Sequence, residues 1–272
     1  MHQTKKPSGD LPSRWKEIQM SSRNDIKDGK FAETDKTGLV YTRKCGWIDL
    51  GHACPVGGAQ KFWQHMLREA AKPPEFKSTS CIGISWTHQR TQFNKSNMNN
   101  SYFLIEYPQT MCLQKYGIKV CKSWGQSYLV KRGLPLHKMK SAALTIFLNT
   151  SFSFEAGQSG FPYNLFTDSG FSAEDLVSDL ISFYRALEPG QRYIEMCEPV
   201  SQAEALAIWD KYGSVGSHKN KSFRPLLFSV DDVDTGGNSP SYGELPGFIN
   251  TIKPLKEGFD LRNVRNFDTW EY

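Results

Sequence analysis

A change of hydrophobic period in the middle of the chain constrains its fold most. From about residue 80 to 132 the apolar residues alternate as on strands, and on either side they recur every three to four residues as on helices. The strand signal lies in Ile82–Trp86, Tyr102–Tyr107, the segment from Cys112 to Cys121, and Gln126–Val130, with a polar loop over Asn94–Asn100. Before this block, a helix is predicted from about Ala59 to Ala70, with Phe62, Trp63, Met66 and Leu67 on its apolar face and Pro73-Pro74 as its stop. After it, a long helix is predicted from about Leu136 to Ala156, carrying Ala142, Ala143, Ile146, Phe147 and Thr150 and ended by Gly157.

A further helix start is marked by Ser172 with Asp175 three residues on, Glu174 in the first turn and Phe171 placed as a staple. Leu176, Leu180, Phe183, Tyr184 and Leu187 supply its apolar face, and Pro189-Gly190 stops it. Another helix spans about Gln202 to Tyr212 after the cap candidate Ser201. Residues 213–272 are rich in Gly, Pro, Asp and Asn and read as a loop-rich wrap with short strands such as Pro225–Ser229. Residues 1–36 read as a polar N-terminal tail or loose wrapping segment. The expected fold is a single α+β domain over 37–272, with helices packed around a small antiparallel β region.

At 272 residues and 39% hydrophobic content the chain can bury a large core. Its 17 Phe, 11 Tyr and 7 Trp suit an aromatic core or a groove. The formal charge of +5 is mild and favours anionic partners such as a bacterial wall or lipid headgroups. Zinc-finger spacing, an arginine stripe and a Gly-rich phosphate loop are all missing, so no nucleic-acid partner is expected. No apolar run reaches the roughly 18–20 residues of a membrane span, so no transmembrane segment is expected. The segment from Met1 to Asp10 lacks the apolar stretch of a signal peptide. The expectation is export by a signal-independent route to a periplasm or target cell, with a cytoplasmic location as the alternative.

The cysteines are Cys45, Cys54, Cys81, Cys112, Cys121 and Cys197. Cys112 and Cys121 flank a hairpin-like segment turning near Tyr116-Gly117, where a cross-strand disulfide or two half-buried thiols both fit. A bridge there would point to an oxidising compartment.

Glu155 stands out among the carboxylates, at a helix C-terminus among Phe152, Phe154 and Phe161. Apolar surroundings and the negative dipole end both raise a carboxyl pKa, as a general acid requires near neutrality. Asp168, thirteen residues later beyond a loop, is the candidate second carboxylate for glycoside hydrolysis; a turn cap is the plain alternative. His52 is the leading histidine, with Asp49 placed three residues earlier to orient its ring. It reads equally as a structural histidine, and a metal bound by His52 and nearby carboxylates is a minor alternative, with no cofactor expected otherwise. Cys54, ahead of a helix, forms a Cys-His amidase candidate with His88 or His137. Ser159 sits in Gly157-Gln-Ser-Gly-Phe161, which fails the nucleophile-elbow pattern at its last position. Glu174 and Asp175 suit the positive end of a helix dipole and also stand where they would close one wall of a pocket.

The stretch from Thr37 through Gly46-Trp-Ile-Asp49-Leu-Gly-His52, with Phe154-Glu155 and Ser169 to Leu180, resembles an uncharacterised bacterial domain family whose members are commonly exported or surface-associated. The family is marked by a Gly-x-Ile-Asp-x-Gly-His opening and a later Ser-x-Glu-Asp-Leu segment. The resemblance covers roughly 37–190 and implies shared architecture and site placement at Asp49, His52, Glu155 and Ser172–Asp175. Phe154 replaces a histidine of the family pattern, and Cys54-Pro55 stands nearby in place of the Arg-Asp pair that often follows the family's first histidine, so a metal mechanism is not simply inherited.

The expected function is a bacterial cell-envelope hydrolase of lysozyme-like type, a secreted antibacterial effector or toxin cleaving peptidoglycan glycan by carboxylate acid/base chemistry. Its expected partners are peptidoglycan or other anionic envelope material, and a cognate immunity protein. The alternatives are a Cys-His peptidoglycan amidase, a serine or metal-dependent lipid hydrolase, and a non-catalytic wall-binding protein.

Overall fold

Helices gather their apolar faces against a three-stranded antiparallel sheet in the computed structural model, which describes residues 21–56, 58–73, 101–115, 118–158, 171–229 and 239–271. The chain enters through β1 (Leu39–Thr42) and β2 (Gly46–Asp49), an antiparallel pair with Val40 opposite Ile48. Gly46 allows this tight turn because it adopts a positive φ and because a Cβ there would overlap the Leu226 carbonyl. Helix α1 (Ala59–Ala71) buries Ala59, Phe62, Trp63 and Met66, the face expected from its periodicity save for the exposed Leu67.

Strands β3 (Tyr102–Lys115) and β4 (Ile118–Lys131) form a long hairpin, and β7 (Leu261–Glu271) pairs with the other edge of β4. Cys112 stands opposite Cys121 in this register, and Cys121 is disulfide-bonded. β7 was not expected from the loop-rich composition of residues 213–272. Its sequence alternates little, and pairing with β4 satisfies its backbone where side-chain pattern gives no cue. Short strands β5 (Leu226–Leu227) and β6 (Ser241–Tyr242) account for the remaining pair, within the segment read as short strands and loop.

Helix α2 (Leu136–Gln158) lies on the sheet, and its buried residues include Ala142, Ala143, Ile146, Phe147 and Thr150. It runs through Gly157 and is not ended by it. Gly157 is instead a packing residue, because a Cβ there would overlap the Trp124 ring of β4. Helices α3 (Asp175–Leu187), α4 (Tyr193–Met196) and α5 (Gln202–Tyr212) follow, and Ser201 caps α5 through the Glu204 amide. α3 is the central helix, with nearly every residue buried. The result is a single α+β domain. One core centres on α1, α2, α3 and the large sheet; a second joins Leu39, Tyr41 and Trp47 to Ala205, Ile208 and Phe228.

Residues 21–36, read as part of a tail or wrapping segment, pack onto this domain. Ile26 and Ala32 are fully buried, and the Gly29 amide donates to the Val200 carbonyl. Cys45 and Cys197 are buried free thiols. Their mutual hydrogen bond and burial push the Cys197 thiol up. Among the described residues no helix is long and apolar enough to cross a membrane.

Candidate functional site

The site is built where the turn after β2, the end of α2 and the start of α3 meet. Asp49 ends β2, and its Oδ1 accepts from the amides of Gly51 at 2.6 Å and His52 at 3.0 Å. This closed turn throws the His52 side chain toward α3. The turn is tied down twice more. The Asp49 amide donates to Ser178 Oγ at 2.9 Å, and Arg185 Nη1 donates to the Ala53 carbonyl at 3.0 Å. Arg185 in turn is held by Glu33 at 3.1 Å.

The sequence placed Asp49 as the group that orients the His52 ring. In the structure Asp49 shapes the backbone, and the carboxylate beside the ring is Asp179, with Oδ1 at 3.3 Å from Nδ1. The reason is directional: Asp49 spends Oδ1 on two amides of its own turn, while Asp179 approaches from across the core.

Glu155 is completely buried on α2. Its Oε2 accepts from the Phe171 amide at 3.0 Å, and its buried Oε1 meets no donor among the described residues. Phe171 adopts a left-handed backbone with φ of 59°, a conformation rare for a bulky residue. That strained turn delivers the amide to Glu155 and packs the Phe171 ring, tilted, against Phe152 at 5.1 Å between centroids. The following Ser172 amide donates to Asp175 Oδ2 at 2.7 Å, which is half of the expected capping arrangement. Helix α3 itself begins at Asp175, with Glu174 at the cap position.

His52, Glu155 and Asp175 each direct one nitrogen or oxygen into a common space, with these atoms within 4.8 Å of one another. Glu174 and Asp179 are buried beside them, and among the described residues Oε2 of the first and Oδ2 of the second have no hydrogen-bond partner. Among the described residues, His52 is the one basic side chain paired with this group of acids.

The electrostatics follow from that imbalance. Burial, then the Asp175 charge, pushes the Glu155 carboxyl up to about 9. Burial and Asp175 likewise push Glu174 well above the carboxylate range. Asp175 is raised by burial, against the opposing pull of His52, the Ser172 amide and a hydrogen bond with Glu155. For His52, burial opposes the charged ring, but the hydrogen bond and charge of Asp179, with Asp175 and Asp49, outweigh it and raise its pKa well above 6.5.

Glu155, His52 and Asp49 therefore share one locality. Asp168, Ser159 and His88 lie outside the described residues. Cys54 is a half-buried free thiol whose amide closes the same turn onto the Gly51 carbonyl. His137 begins α2, beyond any contact with that turn among the described hydrogen bonds and ion pairs.

Sequence reasoning underweighted Asp175 and did not single out Asp179. A signal for both was present. Asp175, Ser178, Asp179 and Ser182 follow the i, i+3, i+4, i+7 spacing of one helix face in a segment otherwise crowded with Leu, Val, Ile, Phe and Tyr. A helix this apolar is buried all round, so its polar stripe is buried too. No protein-family model, no curated protein and no solved structure matches the chain.

Proposed function

We propose that the protein is a hydrolase whose reaction centre is the His52–Glu155–Asp175 cluster. The observation that carries this reading is the convergence of these groups, with Glu155 fully buried and one of its oxygens left without a donor. Burying unpaired carboxyls costs stability without a structural return, and such arrangements concentrate at functional sites. The His52 side chain is 36% exposed whereas Glu155 is sealed, so His52 is the member that meets solvent and substrate. Glu155 acts from behind it, which differs from its expected place as the direct proton donor.

The reaction class is hydrolysis by acid/base chemistry on a water. The bond to the leaving oxygen breaks, the hydroxyl of water joins the electrophilic carbon, and the remaining proton goes to the leaving group. Peptidoglycan glycan is the proposed substrate, supported by the net charge of +5 and the high aromatic content. A disulfide at Cys121 suits work in an oxidising compartment, as an exported effector would do.

Mass spectrometry of purified sacculi incubated with the wild type and with Glu155→Gln tests this reading. New saccharide ends made by the wild type and lost in the variant are expected. Separated stem peptides would replace it with an amidase, and fatty acid released from vesicles with a lipid hydrolase. Folded wild-type protein that yields none of these products overturns it.

A further inference from the structure

We propose that His52, Glu155 and Asp175 form a binding site for a first-row divalent metal cation. The inference adds a bound ion to the centre described above, and it rests on side-chain geometry that stands whether or not that centre is hydrolytic.

Three independent features converge on it. The first is ligand type and placement. One imidazole nitrogen and two carboxylate oxygens face a common point within 4.8 Å of one another. Ligand atoms on a shared zinc-like ion, at bonds of about 2.0–2.2 Å, stand roughly 3–4 Å apart. Small side-chain shifts therefore close the site.

The second feature is the unused bonding capacity. Glu155 is 0% exposed, and its Oε1 meets no donor among the described residues. Glu174 Oε2 and Asp179 Oδ2 are buried in the same condition alongside. Buried polar groups are otherwise nearly always paired, and these carboxyls pair with one another only by sharing a proton, as in the Glu155–Asp175 hydrogen bond, so a cation fits by taking that proton's place.

The third is the support around the ligands. Asp179 holds Nδ1 of His52, so Nε2 is the nitrogen with a lone pair to give once the ring is neutral. Phe171 fixes one oxygen of Glu155 and Ser172 fixes one oxygen of Asp175, each through a backbone amide. Metal ligands are commonly oriented in this way by an outer ring of hydrogen bonds. The imidazole favours zinc or iron over magnesium and calcium, which take oxygen ligands, and the two carboxylates also admit manganese. With three protein ligands, a coordination position remains for water, and a bound cation makes such a water more acidic.

Titration calorimetry of the full chain, stripped of metal and then titrated separately with Zn²⁺, Mn²⁺ and Mg²⁺, tests the proposal. Zn²⁺ or Mn²⁺ is expected to saturate at one ion per chain, with affinity at least tenfold above that for Mg²⁺. His52→Ala and the near-isosteric Glu155→Gln are each expected to weaken binding at least tenfold while circular dichroism stays unchanged. Absence of saturable binding in folded wild-type protein overturns the proposal, as does wild-type affinity in both variants. The sacculus assay separates the two readings. Binding without hydrolysis removes the hydrolase and leaves the metal site, and hydrolysis by protein that binds no metal does the reverse.

Discussion

Nδ1 of His52 lies 3.3 Å from Oδ1 of Asp179, so a residue on the turn after β2 is oriented by one just inside helix α3. A carboxylate can only accept here, which makes Nδ1 the donor and fixes the tautomer of the neutral ring. Replacing the acceptor by an amide weakens that choice without emptying the space. Asp179→Asn is therefore expected to lower metal affinity by about 10–100-fold, the usual cost of losing an outer-ring partner. Calorimetry reads the affinity, and the ring resonances of His52 report the tautomer. Unchanged values in both would remove Asp179 from the positioning role.

Glu155 is buried at the expense of stability. Its carboxyl is buried against Asp175 and is pushed up by that burial and that charge. Glu155→Gln keeps the shape and still accepts from the Phe171 amide, while removing an acid from the cluster. The metal-free variant is expected to be more stable than the metal-free wild type by roughly 1 kcal/mol, as measured by urea unfolding at neutral pH. A lower midpoint would show that the carboxylic acid itself holds α2 to α3.

Gly157 offers a case in which local and tertiary physics predict opposite signs. Helix propensity alone favours Gly157→Ala by about 1 kcal/mol. The added Cβ would overlap the Trp124 ring, and overpacking of that kind costs about 1–3 kcal/mol. Net destabilisation is expected in denaturant unfolding, with a lowered tryptophan-reported midpoint. A gain would mean that the helix and β4 separate at no cost.

Tyr41 pins β1 to the C-terminal half. Its hydroxyl donates to the Phe228 carbonyl at 2.7 Å and accepts from the Phe228 amide at 2.8 Å, both within the buried core. Tyr41→Phe strands both backbone groups and is expected to cost about 1–3 kcal/mol. Hydrogen exchange at the Phe228 amide should accelerate with it, and protection equal to wild type would contradict the assignment.

Glu188 sets an acid limit away from the site. The Tyr193 hydroxyl at 2.8 Å and Lys140 at 3.1 Å hold its pKa below 4.5, Tyr193 contributing most. A lowered folded-state value gives stability that is present above 4.5 and is lost as the pH falls through the lowered value. Because its side chain is 41% exposed, solvent screens the pair and the effect is under about 1 kcal/mol. The stability difference between wild type and Glu188→Gln should shrink to nothing in acid; a difference that persists at low pH would assign it to packing.

The helices were legible because their cues are local. Phe62, Trp63 and Met66, or Leu176, Leu180 and Phe183, share a face through the 3.6-residue period, and Ser201 caps its helix within four residues. The turn around Asp49 and His52 and the buried position of Glu155 among apolar neighbours were readable in the same way. What lay beyond the sequence was partnership at a distance. Strand β7 exists because β4 offers it an edge, and Gly157 is required by Trp124, more than thirty positions away in the chain. The ring of His52 meets Asp179 across 127 residues. Periodicity tells which face of an element is buried, since that depends on neighbouring residues alone. Which acids share that buried space is decided only when α2, α3 and the turn after β2 pack together, because burial and like charge act through space and not along the chain.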